Sequence, residues 1–248
     1  MMEKYNYRKD PHQDIDHVFR DLLPAHGMVE RPAQVELSHQ MLDAMLNGSI
    51  ALCDAGTGIG KTYAYLVAGV VFRRYRSRAG LPNQPLLIST SSIALQGAII
   101  HDYLPFLSKV MMADGMLDSP LRAVLRKGKS HYVCDARLMK RLQTANLDRK
   151  NPLAKAALLS MRDHLDLDMA PHLSGYDRER ICVPPTCDCG KTECRYLCYL
   201  DVCASERYAI QVCNHNLLLA DAIHRGSGKR SILPDSCAIG LKKKPISS

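Results

Sequence analysis

The chain has no apolar run long enough to cross a membrane as a helix. Its longest strongly apolar stretch, residues 64–72, falls far short of the roughly 20 residues such a span requires. Residues 1–10 are polar and charged and lack the apolar core of a secretory leader. A cytoplasmic location is therefore expected. In that reducing compartment the ten cysteines are not expected to pair as disulfides. There is no internal repeat and no low-complexity tract, which excludes a solenoid and a linker-like chain. Acidic residues are also missing at the end, because no Asp or Glu follows Asp235.

What is present suffices for a globular fold. Of 248 residues, 46% are hydrophobic, enough for a core. The formal net charge is +8, which suits an anionic partner. Nucleic acid is the first candidate and a nucleotide phosphate the second, and a solvated basic surface accounts for the charge equally well.

The most informative stretch is Ala55-Gly56-Thr57-Gly58-Ile59-Gly60-Lys61-Thr62. Residues 49–53 before it read as a strand and residues 63–72 after it as a helix, the context a phosphate-binding loop needs. Gly56, Gly58 and Gly60 let the backbone turn its N–H groups toward phosphate oxygens. The positive end of the following helix points to the same place. Lys61 would reach the β/γ-phosphates and the Thr62 hydroxyl would hold Mg²⁺. Ala55 replaces the usual first glycine and is small enough for the turn. The plain alternative is a glycine-rich strand-to-helix turn with a chance Gly-Lys-Thr.

Helices are predicted at residues 14–23, closed by Pro24, and from Pro32 to Asn47-Gly48. Residues 85–90 and 121–125 read as strands, with a crossover helix at 93–102 between them. A further strand at 208–212 precedes a helix at 217–223. Strands alternating with helices imply an α/β fold with a parallel sheet, whose ligands bind at the carboxyl ends of the strands. Between residues 126 and 205 strand signals vanish and cysteine becomes dense, as in an inserted, mostly helical subdomain.

Cys182, Cys187, Cys189, Cys194, Cys198 and Cys203 fall close together, with Cys134 upstream beside the basic run Arg126, Lys127 and Lys129. Clustered thiolates in a reducing compartment are natural metal ligands. Their softness selects zinc or an iron–sulfur cluster, and spacing alone favours zinc. Buried thiols without metal are the bland reading. Cys53, ahead of the phosphate loop, reads as core.

Taken together, these motifs resemble the DinG-like branch of superfamily two helicases, bacterial relatives of the XPD helicases. Asp54–Thr62 resembles helicase motif I. Arg31-Pro32-Ala33-Gln34 sits where that family has an arginine–glutamine element, so Gln34 would read adenine. Ser89-Thr90-Ser91 through Leu95-Gln96 is similar to motif Ia, implying that Thr90 and Gln96 touch DNA. The segment from Gly128 to Cys134 resembles the one carrying the first cluster cysteine. Cys194-Arg195-Tyr196 resembles the last, and Asn214-His215-Asn216 the downstream Asn-His element.

The resemblance implies a RecA-like P-loop domain at 1–125, an inserted iron–sulfur subdomain at 126–205 and a return to the first domain at 206–239. It also implies ATP, Mg²⁺ and a 4Fe–4S cluster, which reverses the preference for zinc. Cys134 and Cys194 are the firmest ligands, Cys182 and Cys187 the middle pair, and Cys189 the alternate. ATP would be held by Gln34 and by Gly56, Thr57, Gly58, Ile59, Gly60, Lys61 and Thr62. The implied activity is ATP-dependent 5′-to-3′ movement on single-stranded or forked DNA; Arg126, Lys127 and Lys129 could contact phosphates beside the cluster, and a solvated basic loop is the alternative.

After Ile239, where the family has Asp-Glu-Ala-His, this chain reads Gly240-Leu241-Lys242-Lys243-Lys244. The expectation is an incomplete first motor domain and an out-of-family tail at 240–248, from a truncated product. An exposed sheet edge would then invite a partner. The alternatives are a non-catalytic iron–sulfur module that binds nucleic acid and an unrelated P-loop ATPase with a zinc knuckle.

Overall fold

The computed structural model describes residues 10–82, 84–144, 152–186, 194–204, 208–228 and 231–233. In chain order, helix α1 (Pro11–His17) runs through a wider π turn, Val18–Leu22, into a last short turn at Leu23–Ala25. Helices α2 (Pro32–Asn47) and α3 (Lys61–Arg78) follow, then strand β1 (Leu86–Ser89) and α4 (Ile93–Ala98). A second π segment, Ile99–Tyr103, leads into α5 (Leu104–Ala113) and β2 (Ala123–Arg126). Next come α6 (Asp135–Thr144), α7 (Pro152–Ser160), α8 (Gly175–Ile181) and α9 (Arg195–Ala204). Strand β3 (Ile210–Cys213) and α10 (His215–Gly226) close the described chain.

Local chemistry explains several boundaries. Pro32 opens α2, where its missing N–H costs nothing, and Gly48 ends it in the left-handed conformation at φ 59°. Ser92 and Asn214 cap α4 and α10 by accepting from the backbone N–H groups of Leu95 and Leu217.

Contacts divide the chain into two compact units, Met1–Arg126 with Glu206–Ser248 and Lys127–Ser205. The first holds a three-stranded parallel sheet in the order β1-β3-β2, with Leu86 and Ala123 both level with Ile210. Central β3 is buried along its whole length, as a parallel strand covered on both faces must be. Helix α3 packs flush on β1. An ideal Cβ at Gly69 would stand 2.3 Å from Leu86 Cδ2, so only glycine fits without moving the helix or that side chain. Ile15, Phe19, Leu42, Leu66, Leu107 and Met111 complete this core; each such side chain contributes about 1.5–3 kcal/mol on burial.

The second unit packs Leu138, Leu158, Met161, Leu167 and Ile181 into its own core. Two isolated antiparallel bridges, Tyr132 with Asp166 and Val133 with Cys182, tie its segments together.

One expected strand is not formed. Residues 49–53 make no ladder, Ile50 is 78% and Leu52 97% exposed, and Cys53 is exposed instead of core. The apolar pattern there is real, but a strand needs a neighbour. Among the described residues each of β1 and β2 pairs with β3 alone. The helix expected to close at Pro24 continues to Ala25. The strand start read at residues 236–239 lies outside the described residues.

Candidate nucleotide and thiolate sites

The loop from Ala55 to Thr62 is built on two left-handed glycines, Gly58 at φ 84° and Gly60 at φ 88°. Gly60 is the residue before α3, and no side chain caps that helix. The first N–H groups of α3 therefore face outward with the positive end of the helix dipole behind them. Lys61 Nζ folds back across the loop and donates to the carbonyls of Ala55 and Gly56, at 2.8 Å each. Its ammonium thus stands over the backbone of the loop.

Helix α2 braces this loop from behind. Gln34, only 3% exposed, donates from Nε2 to the Gly60 carbonyl at 2.7 Å. Arg31 Nη1 donates to the Gly58 carbonyl, and Ser38 Oγ to the Ala64 carbonyl at 3.0 Å. Gly56, Thr57 and Gly58 are exposed, while Ile59, Gly60 and Thr62 are partly covered. Burial pushes the Tyr65 phenol up.

At the carboxyl end of β1, Thr90 N–H donates to the Cys213 carbonyl, extending the ladder by one bond. Thr90 Oγ1 accepts from the Ser92 N–H. Gln96, expected at the DNA surface, is 6% exposed and donates from Nε2 to the Thr90 carbonyl at 3.0 Å. It braces the Thr90 turn from below. The sequence reading also missed the pairing of Ser89 Oγ with His215 Nδ1 at 2.8 Å, which joins the end of β1 to the start of α10.

The basic run at 126–129 is internally satisfied. Arg126 is 5% exposed and donates to Gln211 Oε1 at 2.8 Å and to the Ile232 carbonyl. Lys127 pairs with Asp166 at 2.6 Å and Asp168 at 2.8 Å. Lys129 donates to the Pro185 carbonyl. For Arg126 and Lys127 the expected phosphate contacts are replaced by bonds within the fold, whereas Lys129 is exposed.

Of the proposed thiolate ligands, Cys134 is buried and Cys182 and Cys194 are partly so. The bridge between Val133 and Cys182 and the 2.8 Å bond from Cys134 N–H to the Ile181 carbonyl set the first two on adjoining backbone. Cys187 and Cys189 lie outside the described residues. Among the described residues, no group of three or more His, Cys, Asp or Glu side chains is gathered as for a metal ion. Cys198 is exposed and Cys203 fully buried. The paired backbone of Cys134 and Cys182, with Cys194 at the head of α9, is compatible with a thiolate-bound group.

No protein-family model matches the chain. Curated relatives do. Over 228 residues, 85% of this chain, it is 26% identical to the ATP-dependent DNA helicase YoaA of Haemophilus influenzae. It is 27% identical over 219 residues to YoaA of Escherichia coli, and 31% over 139 residues to the 3′-5′ exonuclease DinG of Bacillus subtilis. Over these stretches the chain is similar to proteins named DinG and YoaA. It spans 32% of the length of either YoaA and 13% of that DinG. Among the described residues, no helix of the chain is long and apolar enough to cross a membrane.

Proposed function

We propose that this chain carries the nucleotide-binding half-site of an ATP-dependent DNA helicase. The observation that carries the reading is the loop itself, with two left-handed glycines, an uncapped α3 N-terminus and the Lys61 ammonium over the loop carbonyls. ATP phosphates would replace those carbonyls as the partners of Lys61, and the N–H groups of α3 would donate to phosphate oxygens. Thr62 would hold Mg²⁺, and Gln34, already seated against Gly60, would read adenine. YoaA and DinG relatives named as ATP-dependent DNA helicases support DNA as the substrate; movement along single-stranded or forked DNA in the 5′-to-3′ direction is part of the same proposal. Thr90, at the carboxyl end of β1, is the strand contact in this reading. Any such binding weakens steeply with salt.

In the same reading Cys134, Cys182, Cys187 and Cys194 hold a 4Fe–4S cluster, with Cys189 as the alternate to a middle ligand. Bound there, the cluster cross-links segments far apart in sequence. Among the described residues β1 and β2 each pair on one side only, and their outer edges are the places where further strands or a partner would pair.

Binding of a fluorescent ATP analogue with Mg²⁺ tests the nucleotide site. Affinity is expected in the wild type and lost in Lys61→Ala, a change at an exposed side chain. Equal affinity in both proteins rejects the site. Iron content and the visible absorption of protein purified without oxygen test the cluster.

A further inference from the structure

Cys134 is followed directly by Asp135 and Cys194 directly by Arg195. These two following residues form an ion pair. Arg195 Nε stands 2.7 Å and Nη2 2.6 Å from Asp135 Oδ1, and the Arg195 backbone N–H lies 3.3 Å from Oδ2. The remaining donors of the same guanidinium turn to the chain just after α7. Nη2 donates to the Met161 carbonyl at 3.0 Å, and Nη1 to those of Arg162 at 2.9 Å and His164 at 3.4 Å. Four hydrogen bonds and the ion pair thereby engage all three nitrogens of the guanidinium.

From this geometry we infer that Arg195 and Asp135 are positioning residues for the thiolate set, a clasp that holds Cys194 beside Cys134 before any metal arrives. The inference rests on the cluster reading above for its purpose, though not for its geometry. Adjacent Cα atoms are about 3.8 Å apart, so pinning residues 135 and 195 together confines the two cysteines that precede them. Cys182 is already tied to the same place through Val133. Asp135 also begins α6, where an acid favours the helix dipole.

An exposed charge pair alone would position little. Both of these side chains are only partly exposed, and the carbonyls of residues 161, 162 and 164 fix the guanidinium plane, so it cannot swing away with its partner. Lysine keeps the charge but has three donors on one flexible point and cannot reproduce the fork. Groups that hold metal ligands from behind in this way typically alter metal affinity about 10- to 100-fold when removed.

The test compares wild type, R195K and D135N as full chains. Each is titrated anaerobically with cobalt(II) alone, whose sulfur-to-metal absorption reports thiolate coordination. Each is also oxidised metal-free with diamide, which accepts two electrons and two protons from a thiol pair, and mapped by mass spectrometry for a Cys134–Cys194 linkage. Both variants are expected to lose cobalt affinity about 10- to 100-fold and to form the linkage more slowly, with far-UV circular dichroism unchanged. Variants that bind and link as the wild type does overturn the clasp, as does a wild type that forms no linkage. Should R195K fail to fold, D135N decides, because it leaves the bonds to the three carbonyls in place. A wild type that takes no cobalt rejects the cluster reading, and the linkage rates then decide the clasp separately.

Discussion

Gln34 Nε2 donates to the carbonyl of Gly60 at 2.7 Å and occupies the volume that a side chain at residue 60 would need. An ideal Cβ there would lie 2.1 Å from that nitrogen, and the backbone sits at φ 88°. One glycine thus serves two ends, the left-handed entry into α3 and the seat of the residue that would read adenine.

Gly60→Ala is therefore expected to strain the backbone by about 1–3 kcal/mol and to push Gln34 off its carbonyl. Thermal unfolding should move down and affinity for the ATP analogue should fall. Gly226→Ala is the control, since it lies outside the loop, nothing lies within 4 Å of its Cβ position and its φ is ordinary. Equal effects of the two substitutions would reject the seat proposed for Gln34.

Gly69 sets a different limit. Its Cβ would meet Leu86 Cδ2 at 2.3 Å and Cδ1 at 3.0 Å, both in the core between α3 and β1. Gly69→Val is expected to cost about 1–3 kcal/mol by overpacking, read as a lower urea midpoint. Leu86→Ala in the same chain should recover part of that loss by making room, a coupling that a double-mutant cycle measures.

How far these features were legible in the sequence depended on whether their cause was local. The turn chemistry of Gly58 and Gly60, the opening of α2 by Pro32 and the strand at 86–89 all follow from neighbouring residues, and all were legible. Ile50 and Leu52 carry as clear a strand pattern, yet a strand is a relation to a partner, and none pairs there among the described residues. Side-chain destinations were the least legible. Gln96 read as a DNA contact through the resemblance to motif Ia, and Arg126 as a phosphate contact through the basic run it belongs to. Their targets, the Thr90 carbonyl and Gln211, emerge only once the sheet is assembled. Asp135 and Arg195, sixty residues apart, share no periodicity that could announce their pairing.

Arg126 gives a direct way to separate its two readings. Buried and bonded to Gln211 and to the Ile232 carbonyl, it is a structural link between β2, β3 and the chain after α10. Arg126→Met should lower the unfolding free energy by about 1–3 kcal/mol, because Gln211 loses a partner. The salt dependence of DNA binding should keep its slope. A residue that contacted phosphate would instead flatten that slope by about one unit. Fluorescence-detected urea unfolding and salt titration of DNA affinity, run on the same variant, distinguish the two.

Asp168 makes the second unit sensitive to acid. Burial alone would raise its carboxyl, but hydrogen bonds and charge attraction from Lys127 and Arg178 win and hold it well below the usual carboxylate range. The folded state therefore releases the proton more readily than the unfolded chain, whose aspartate titrates near about 3.9. Its contribution to stability is fully present above that pH and disappears as the pH falls toward the depressed folded value. Because the carboxylate is partly open to solvent, the effect is expected to be modest. Asp168→Asn should lower stability at neutral pH and flatten the dependence below about pH 4. Chemical unfolding at a series of pH values, followed by tyrosine fluorescence, checks this. An unchanged acid slope in Asp168→Asn would mean that Lys127 is held by Asp166 alone.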